Sequence, residues 1–304
     1  MLSIRSMRLS VTLACVTALA AIFSLPLFAQ GQQPATPQAP ADPQPTVTQA
    51  DEGTFKLGEI VYVLGKDRGT PGIGGAVVTR EQLQTFERNS LDRAVNLVPG
   101  VVASFDANGR RNESDIFVRG FGRQQVPLMV DGVRIYLPAD NRLDFGRFLT
   151  ADIAAIQIQK GYASVLDGPG AMGGAINLVT IEPNEELEAE GGISTGGRGI
   201  EGWNAYALVG TRQPLYYVLS SVALSDRDSW SLSGNYEPTA NSLQDRGERL
   251  SSDTEDWRVN FKFGYTPNAT NEYTFNYTKQ SGEKGAPLNI YNNPPVPPNS
   301  YWRW

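Results

Sequence analysis

Three glycines in the middle of the chain have the spacing of a phosphate-binding motif. Gly168, Gly170 and Gly173 satisfy G-x-G-x-x-G, which holds a dinucleotide when it lies between a buried strand and the N-terminus of a helix. Here Pro169 lies inside the turn, and Ala175–Thr180 has the composition of a strand rather than a helix. The sequence therefore argues against nucleotide binding, and the glycines are predicted to allow close backbone packing or positive φ in turns.

Histidine and cysteine, the residues that serve most enzyme and metal sites, are almost absent. The chain has no histidine, and its only cysteine, Cys15, lies in an N-terminal apolar segment that is expected to be removed. These absences exclude a Ser-His-Asp triad and leave no thiolate for catalysis or metal binding in the mature chain. The net charge of −6 disfavours nucleic acid as a partner. We therefore predict no catalytic residue, no metal site and no cofactor.

Residues 1–29 have the features of an export signal. Arg5 and Arg8 precede an apolar or small run from Leu9 to Leu27, and the pattern favours cleavage before Gln30. A run of this length also fits a transmembrane helix. No charged residue follows the apolar run until Asp42, whereas an anchored helix would be flanked there by Arg, Lys or an aromatic residue, so the cleaved signal is favoured.

The next segment, residues 30–54, is predicted to be a flexible arm. From Gln30 to Thr46 it contains five prolines, five glutamines and a single charged residue, a composition that cannot build a core. A short β-prone run follows, formed by Glu59, Ile60, Val61, Tyr62 and Val63. An extended strand on a tether is suited to β-augmentation, in which it joins the sheet edge of another protein. The alternative is an ordinary first strand of the following domain.

Residues 55–181 read as one α+β unit. The sequence predicts a strand at Ala76–Thr79, a helix from Arg80 to Arg88, and a second helix that begins after Ser90 as N-cap and ends at Pro99-Gly100. Further on, Asp131-Gly132 lies between two apolar runs, which is a strong signal for a β-hairpin.

Five motifs in this unit resemble, in order, the plug domain of the TonB-dependent outer-membrane receptors. Together they cover roughly a hundred residues, so their shared order is more specific than any one of them. The motifs are the helix and turn at Leu91–Val101, the strand and Arg-Gly at Ser114–Gly122, the hairpin at Val126–Tyr136, the strand at Ile153–Gly161 and the glycine-rich segment at Gly168–Thr180.

The resemblance implies a gated importer whose energy comes from the inner-membrane protein TonB. It implies that Glu59–Val63 is the TonB box and that Arg119 anchors the plug by facing the barrel wall and pairing with carboxylates there. Plug loops are then expected to contact an extracellular ligand through arginines, amides and one aromatic ring; solvated loop surface is the alternative at each position. The candidate ligand contacts are Phe105, Arg110, Arg111, Arg123, Gln124, Gln125, Asn141 and Arg142.

Beyond Glu182 the pattern changes to long alternating strands. Trp257, Val259, Phe261, Phe263 and Tyr265 alternate with polar residues or glycine, as in a transmembrane barrel whose apolar face meets lipid and whose polar face meets the lumen. A soluble sandwich gives the same period, with the apolar face in its core. The weaker alternation at Trp203–Val209 and Tyr216–Leu224 also predicts strands, and the polar segment Ser225–Asp256 suits an extracellular loop.

Residues 182–304 hold only the first strands of such a barrel. Plugged outer-membrane barrels have about 22 strands, whereas this stretch has room for about five at roughly 10 residues each plus connections. We therefore interpret the chain as an N-terminal fragment that ends within the barrel. Four prolines between Pro294 and Pro298 argue against a strand immediately before Trp304.

The resemblance thus implies TonB-dependent transport across the outer membrane, with the arm in the periplasm and with TonB, an extracellular ligand and lipid as partners. A ferric siderophore is the first candidate ligand, and cobalamin or an oligosaccharide is the alternative within the family. An exported adhesin or structural β protein is the alternative from another class, and the absence of a recognisable site argues against a periplasmic enzyme.

Overall fold

The computed structural model describes residues 74–105, 112–137, 143–161, 169–196, 200–239, 244–287 and 301–303. All described residues belong to one unit, Val63–Trp304. The predicted export signal, the flexible arm and the docking strand Glu59–Val63 lie outside the described residues.

Two short helices follow the first strand. β1 (Ala76–Thr79) leads directly into α1 (Arg80–Thr85), where Thr79 and Gln82 form a reciprocal capping box that satisfies N–H groups of the first turn. α1 is therefore shorter than the predicted Arg80–Arg88, since the C-cap is Phe86 and Glu87 has φ +49°. In the described ranges, no helix is long and apolar enough to cross a membrane.

α2 (Leu91–Val95) follows the N-cap Ser90, as predicted, but it ends at Val95, before the predicted end at Pro99-Gly100. The Ser90 hydroxyl does not cap the helix, because it donates to Asp92 Oδ1 at 2.5 Å. The apolar face of α2 is buried through Leu91, Ala94 and Val95. The helix thus contributes to the core in the way its periodicity predicts.

A mixed five-stranded sheet forms the centre of the first part of the fold. It has the order β1-β6-β7-β4-β5, with β4 and β7 parallel and the other neighbours antiparallel. Buried apolar residues of β1, β6, β7, α1 and α2 form one core cluster, which includes Val78, Leu83, Ile156 and Ile176. We call residues 74–181 of this part the plug. Its remaining sheet strands are β4 (Leu128–Val130), β5 (Val133–Ile135), β6 (Ile153–Lys160) and β7 (Gly174–Thr180).

The structure confirms the hairpin at Asp131-Gly132. Both residues have positive φ, +48° and +78°, as the central positions of a type I′ turn require, and Val130 pairs with Val133. The structure also confirms a strand after the glycines of the G-x-G-x-x-G motif, because β7 begins at Gly174. A helix N-terminus for a pyrophosphate is therefore absent at this described position.

A second, two-stranded sheet pairs β2 (Val101–Phe105) with β3 (Ser114–Val118). Ile116 and Val118 on β3 are buried in the core cluster. A 3-10 turn at Phe145–Arg147 follows, and the Asp144 carboxylate caps it by accepting from Gly146 N–H at 3.1 Å.

The second part of the fold is an antiparallel sheet of long strands, which we call the wall. Its order is β13-β12-β11-β10-β9-β8, so each strand pairs with its neighbours in sequence. The strands are β8 (Glu188–Thr195), β9 (Ile200–Arg212), β10 (Tyr216–Trp230), β11 (Thr254–Tyr265), β12 (Tyr273–Gly285) and β13 (Tyr301–Arg303).

The wall is inverted relative to a soluble sandwich. Along β11 the polar positions are buried and the apolar ones are more exposed: Lys262 is 0% exposed, whereas Phe263 is 36% and Tyr265 is 42% exposed. On β12 the aromatic residues Tyr273, Phe275 and Tyr277 are exposed as well. This is the pattern of a barrel whose outer face meets lipid, and it confirms the predicted strands.

Two expectations from the sequence need correction. β10 extends to Trp230 and β11 begins at Thr254, so the polar segment predicted as a loop from Ser225 to Asp256 supplies strand residues at both ends. A three-residue strand, β13, also lies immediately before Trp304 and pairs with β12. It begins at Tyr301, after the last proline, so the missing N–H groups of the prolines do not oppose it.

The orientation of the wall predicts how it tolerates charge. Replacing Phe261 with Arg at the middle of the apolar face should lower the free energy of unfolding in lipid vesicles by about 2–4 kcal/mol, because a cation at the bilayer midplane is poorly solvated. Phe261→Leu keeps the face apolar and should lose less. Denaturant titration of both variants measures the difference, and equal losses would contradict a lipid-facing position.

Candidate functional site

The contact between the plug and the wall is built from charged side chains. On the wall Arg258, Lys262 and Lys284 point inward, and all three are less than 10% exposed. Each bonds a carboxylate of the plug: Asp152, Asp131 and Asp144 respectively. Since a buried charge requires a partner, the wall and plug depend on each other for charge balance.

The Asp152–Arg258 pair lies at the centre of this contact. Arg258 donates from Nε to Asp152 Oδ1 at 3.1 Å and from Nη2 to Oδ2 at 2.7 Å, the bidentate geometry that suits a guanidinium. The main chain of Asp152 also bonds the plug's last segment, because its carbonyl accepts from Ile181 N–H at 2.9 Å. The pair thus joins the wall to the base of β6.

Lys262 forms the second contact, near the turn that joins β11 and β12. Its ammonium donates to Thr180 Oγ1 at 2.8 Å and Glu182 Oε1 at 2.9 Å, and it lies 3.5 Å from Asp131 Oδ2. Asp131 itself accepts from the main chain and hydroxyl of Thr180. One wall lysine therefore holds both the β4–β5 hairpin and the segment by which the plug continues into the wall.

A buried tyrosine completes this contact. The ring of Tyr217 lies between Arg212 and Lys262, at 5.3 Å and 5.9 Å from its centroid, and its hydroxyl donates to Glu272 at 2.6 Å. A Cβ at Gly264 would lie 2.1 Å from this ring. Glycine at position 264 is therefore needed to make room for the tyrosine.

The third contact lies toward the opposite ends of β11 and β12. Asp144 accepts from Lys284 Nζ at 2.6 Å while its other oxygen accepts from Ser114 N–H at 2.9 Å. Arg147 lies 3.7 Å from Asp256 of the wall. Burial lowers the pKa of the Arg147 guanidinium to about 10, against the opposing effect of Asp256 and Asp144, so Arg147 stays charged at neutral pH and the attraction persists.

A fourth contact joins α1 to β8 and β9. Glu190 of the wall accepts from Arg80 at 2.6 Å, from Gln84 at 2.6 Å and from the Tyr206 hydroxyl at 2.7 Å. Arg80 also donates to the carbonyls of Ala151 and Ile153. Beside this cluster lies a partly open cavity of about 170 Å³ between plug and wall, lined in part by Asn89, Thr150, Ser194 and Asn204.

Arg119, the predicted anchor, lies elsewhere in the described structure. It has φ +50°, and its main-chain N–H donates to Gly100 O at 2.8 Å. Its guanidinium lies so close to Gly74 and Gly161 that a Cβ at either glycine would be 3.1 Å from a guanidinium nitrogen. Within the described ranges no carboxylate forms an ion pair with it. Its role as an anchor stays a prediction.

The predicted ligand contacts divide into described and undescribed residues. The structure ties Arg123 into the plug, since it donates to Asp115 Oδ2 at 3.1 Å and to Leu143 O at 3.3 Å. Gln124 is exposed, and the Gln125 carbonyl accepts from Gly173 N–H at 2.9 Å. Arg123 thus holds residues 121–126 beside Asp115 and Leu143, which lie close in sequence to the predicted contacts Arg111 and Arg142. Arg110, Arg111, Asn141, Arg142 and the side chain of Phe105 lie outside the described residues.

The ionic contacts between plug and wall were missed from the sequence. Arg258 and Asp152 are separated by 106 positions, and Lys284 and Asp144 by 140. One sequence feature could have indicated these ion pairs, namely the basic residues on the polar face of the alternating strands, because an inward cation in a filled barrel needs a carboxylate opposite it. This feature identifies the cationic residues of the wall but not the carboxylates of the plug that pair with them.

The fold and this interface define a plug-and-barrel protein, in which an α+β plug lies against the polar face of a lipid-facing sheet. Residues 74–175 match the family model of the TonB-dependent Receptor Plug Domain. The chain thus carries the plug domain of the TonB-dependent receptors, followed by antiparallel strands that match the barrel strands of such receptors in fold.

Curated relatives include receptors for two kinds of ligand. The chain is 26% identical over 253 residues to the probable TonB-dependent siderophore receptor PirA of Acinetobacter baumannii, a match that covers 77% of this chain and 31% of the relative. It is 29% identical over 146 residues to the vitamin B12 transporter BtuB of Photobacterium profundum, covering 44% of this chain and 24% of the relative. The matches thus span less than a third of each relative's length.

Solved structures show the same fold. The siderophore receptor PirA from Acinetobacter baumannii aligns with a TM-score of 0.57 and 18% identity over 73% of this chain and 33% of that one. The FrpB iron transporter from Neisseria meningitidis aligns with a TM-score of 0.56 and 17% identity over 71% of this chain and 33% of that one. At these identities the likeness concerns the fold.

The buried pair at Asp152 predicts a test by double-mutant cycle. Asp152→Ala leaves Arg258 buried without its carboxylate, which should destabilise the plug by about 3–5 kcal/mol. Replacing both residues by apolar ones of similar size, Asp152→Leu with Arg258→Met, should cost far less because no buried charge remains. Hydrogen exchange of the Ile181 amide measures the stability of this contact.

An exposed pair supplies the matched control for this cycle. Glu237 and Arg246 form an ion pair in the β10–β11 loop with side chains 75% and 60% exposed. Glu237→Ala should change stability by less than about 1 kcal/mol, because water screens both charges. A loss at Asp152→Ala no larger than that at Glu237→Ala would contradict the structural importance of the buried pair.

Proposed function

We propose that this receptor takes up a scarce extracellular ligand across the outer membrane by TonB-dependent rearrangement of its plug, with a ferric siderophore as the first candidate. The observation that carries the proposal is the plug held against the wall by buried ion pairs, in a chain whose plug matches the TonB-dependent receptors. The arm at residues 30–54 lies in the periplasm in this proposal.

The interface suits a plug that must stay closed at rest and separate under load. Ion pairs hold it shut, because removing either partner leaves an uncompensated buried charge. They also permit separation into water, since both charges are solvated once the contact opens. Uptake in this proposal needs no covalent chemistry; it needs mechanical work that moves the plug away from part of the wall.

TonB supplies that work at the predicted docking strand, Glu59–Val63. The strand lies N-terminal to β1, and β1 is the edge strand of the plug sheet, paired only with β6 among the described strands. Force applied to the N-terminal arm therefore reaches an edge of the plug first. From there, α1 and its bonds to Glu190 are the next contacts with the wall.

The ligand binds at plug loops on the extracellular side in this proposal. Phe105, Arg110, Arg111, Asn141 and Arg142 are the loop candidates, together with Arg123–Gln125. Because Arg123 already bonds Asp115 and Leu143 O, its contribution is to position these loops, and Gln124 is the described candidate with an exposed side chain.

Vitamin B12 is the second candidate ligand. It is favoured by one observation, the similarity of the chain to BtuB proteins of Photobacterium profundum and Vibrio vulnificus at 29% and 30% identity. Competition between a ferric siderophore and vitamin B12 for binding to cells expressing the intact gene distinguishes the two ligands.

The docking strand predicts a loss of energy coupling on proline substitution. Val61→Pro removes a main-chain N–H and fixes φ in the middle of the strand, so pairing with a sheet edge of TonB should fail. Uptake by cells expressing the intact gene should fall to the level of cells without TonB. Ligand binding at the cell surface should persist, because the strand is remote in sequence from the ligand loops.

Val61→Thr is the matched control, because it keeps both the N–H and the β propensity and should have a milder effect. Proline substitutions between Gln32 and Gln44 should also have little effect, since that arm is already rich in proline. Normal uptake by the Val61→Pro receptor would show that Glu59–Val63 is not the docking strand.

A further inference from the structure

The inward face of the wall carries a line of cations. Arg258 and Lys262 lie on the same face of β11, four residues apart. Lys284 lies on β12, directly opposite Thr254 of β11. At about 3.3 Å per residue, the three cations lie in rows roughly 13 Å apart along the wall. They run from the end where the long β10–β11 loop lies to the end of the short β11–β12 turn.

Without the plug's carboxylates, the inward face of these wall strands has a positive net charge. The inward positions of β10, β11 and β12 follow from their register and include four basic residues, Arg227, Arg258, Lys262 and Lys284, and one acidic residue, Asp256. That gives this part of the wall a net charge of +3. In the closed state Asp152, Asp131 and Asp144 of the plug pair with Arg258, Lys262 and Lys284, and Glu182, outside the plug, also pairs with Lys262.

We propose that these wall residues form an anion track, which the plug covers at rest and uncovers when it moves, and that the cargo is an anionic complex. The proposal rests on the proposed function, because the plug must leave this part of the wall. As its carboxylates withdraw, Arg258 and Lys284 lose their paired carboxylates, and Lys262 keeps only Glu182, which lies outside the plug. Such a surface concentrates anions and repels cations.

The track also assigns the cargo its chemical class. A ferric chelate with surplus carboxylate or catecholate charge replaces the plug's carboxylates at each cation in turn, so the cations stay paired along the path. A neutral oligosaccharide or an uncharged cobalamin gains nothing from these charges. The plug carboxylates thus occupy, at rest, the positions that the anionic groups of the cargo take during passage.

The test uses a cysteine on the track and two thiol reagents of similar size and opposite charge. Ser221 is 3% exposed and pairs with Asn260, so its diagonal neighbours across the strands, about 7–8 Å away, are Arg258 and Lys262. Ser221→Cys, in a Cys15→Ser background, is purified as the intact receptor. Labelling by sulfonatoethyl and trimethylammonioethyl methanethiosulfonate is then followed through a urea series.

The expected result is labelling at urea concentrations where the wall strands remain folded by circular dichroism. There the anionic reagent should be favoured over the cationic one by about tenfold, relative to the same ratio at Ala269→Cys on the exposed β11–β12 turn. Exchanging one pair, Asp152→Arg with Arg258→Asp, keeps the contact but removes a wall cation and should bring the ratio to one or below. If this variant does not assemble, Asp144→Asn with Lys284→Gln should lower the ratio by a smaller factor.

Two results would overturn the anion track. One is a ratio at Ser221→Cys equal to that at Ala269→Cys, and the other is no labelling before the wall itself unfolds. The assay needs neither TonB nor cargo, so its outcome is independent of the uptake test above. TonB-independent uptake with a strong anion preference would refute the proposed function alone, and TonB-dependent uptake without that preference would refute the track alone.

Discussion

The need to neutralise buried charge on the inward face of the wall governs the rest of this structure. Because the outward face of β11 and β12 is aromatic and apolar, the polar residues of these strands face inward, where Arg258, Lys262 and Lys284 are almost wholly buried. Burial without partners would be prohibitive. The plug supplies a carboxylate for each, and this requirement fixes the positions of the β4–β5 hairpin, the start of β6 and the 3-10 turn against the wall.

An interface of this kind differs from a hydrophobic core in how it opens. Opening a packed apolar contact costs free energy in proportion to the apolar area that becomes exposed to water. When an ion pair opens into water, by contrast, both charges regain their hydration, which offsets part of the lost attraction. Apolar contact between plug and wall is small in the described residues, a cluster of Ile181, Leu208 and Leu219 with Ala154. The plug itself has the larger apolar core, so it can hold together while its contacts with the wall change.

The sequence predicted features that depend on local chemistry. The Asp131-Gly132 hairpin follows from the positive φ that its turn requires, and the inverted wall follows from strict alternation between Trp257 and Tyr265. It did not predict the Thr79 capping box, since a helix from Arg80 was placed by periodicity alone. The partners of Arg258 and Lys284 were also out of reach, because they depend on how the plug sits against the wall rather than on neighbours in the chain. Arg119 was assigned by resemblance, and no described carboxylate pairs with it.

The central claim, that the plug must part from the wall for uptake, is tested most directly by a reversible lock. Asn89 of the plug donates to Ser194 Oγ of the wall at 3.0 Å, so cysteines at these two positions lie within reach of a short bis-methanethiosulfonate cross-linker in the closed state. With the cross-link formed in cells expressing the intact gene, TonB-dependent uptake should stop while surface binding of ligand continues, and reduction should restore uptake. Undiminished uptake with the cross-link intact would contradict the claim that this side of the plug leaves the wall.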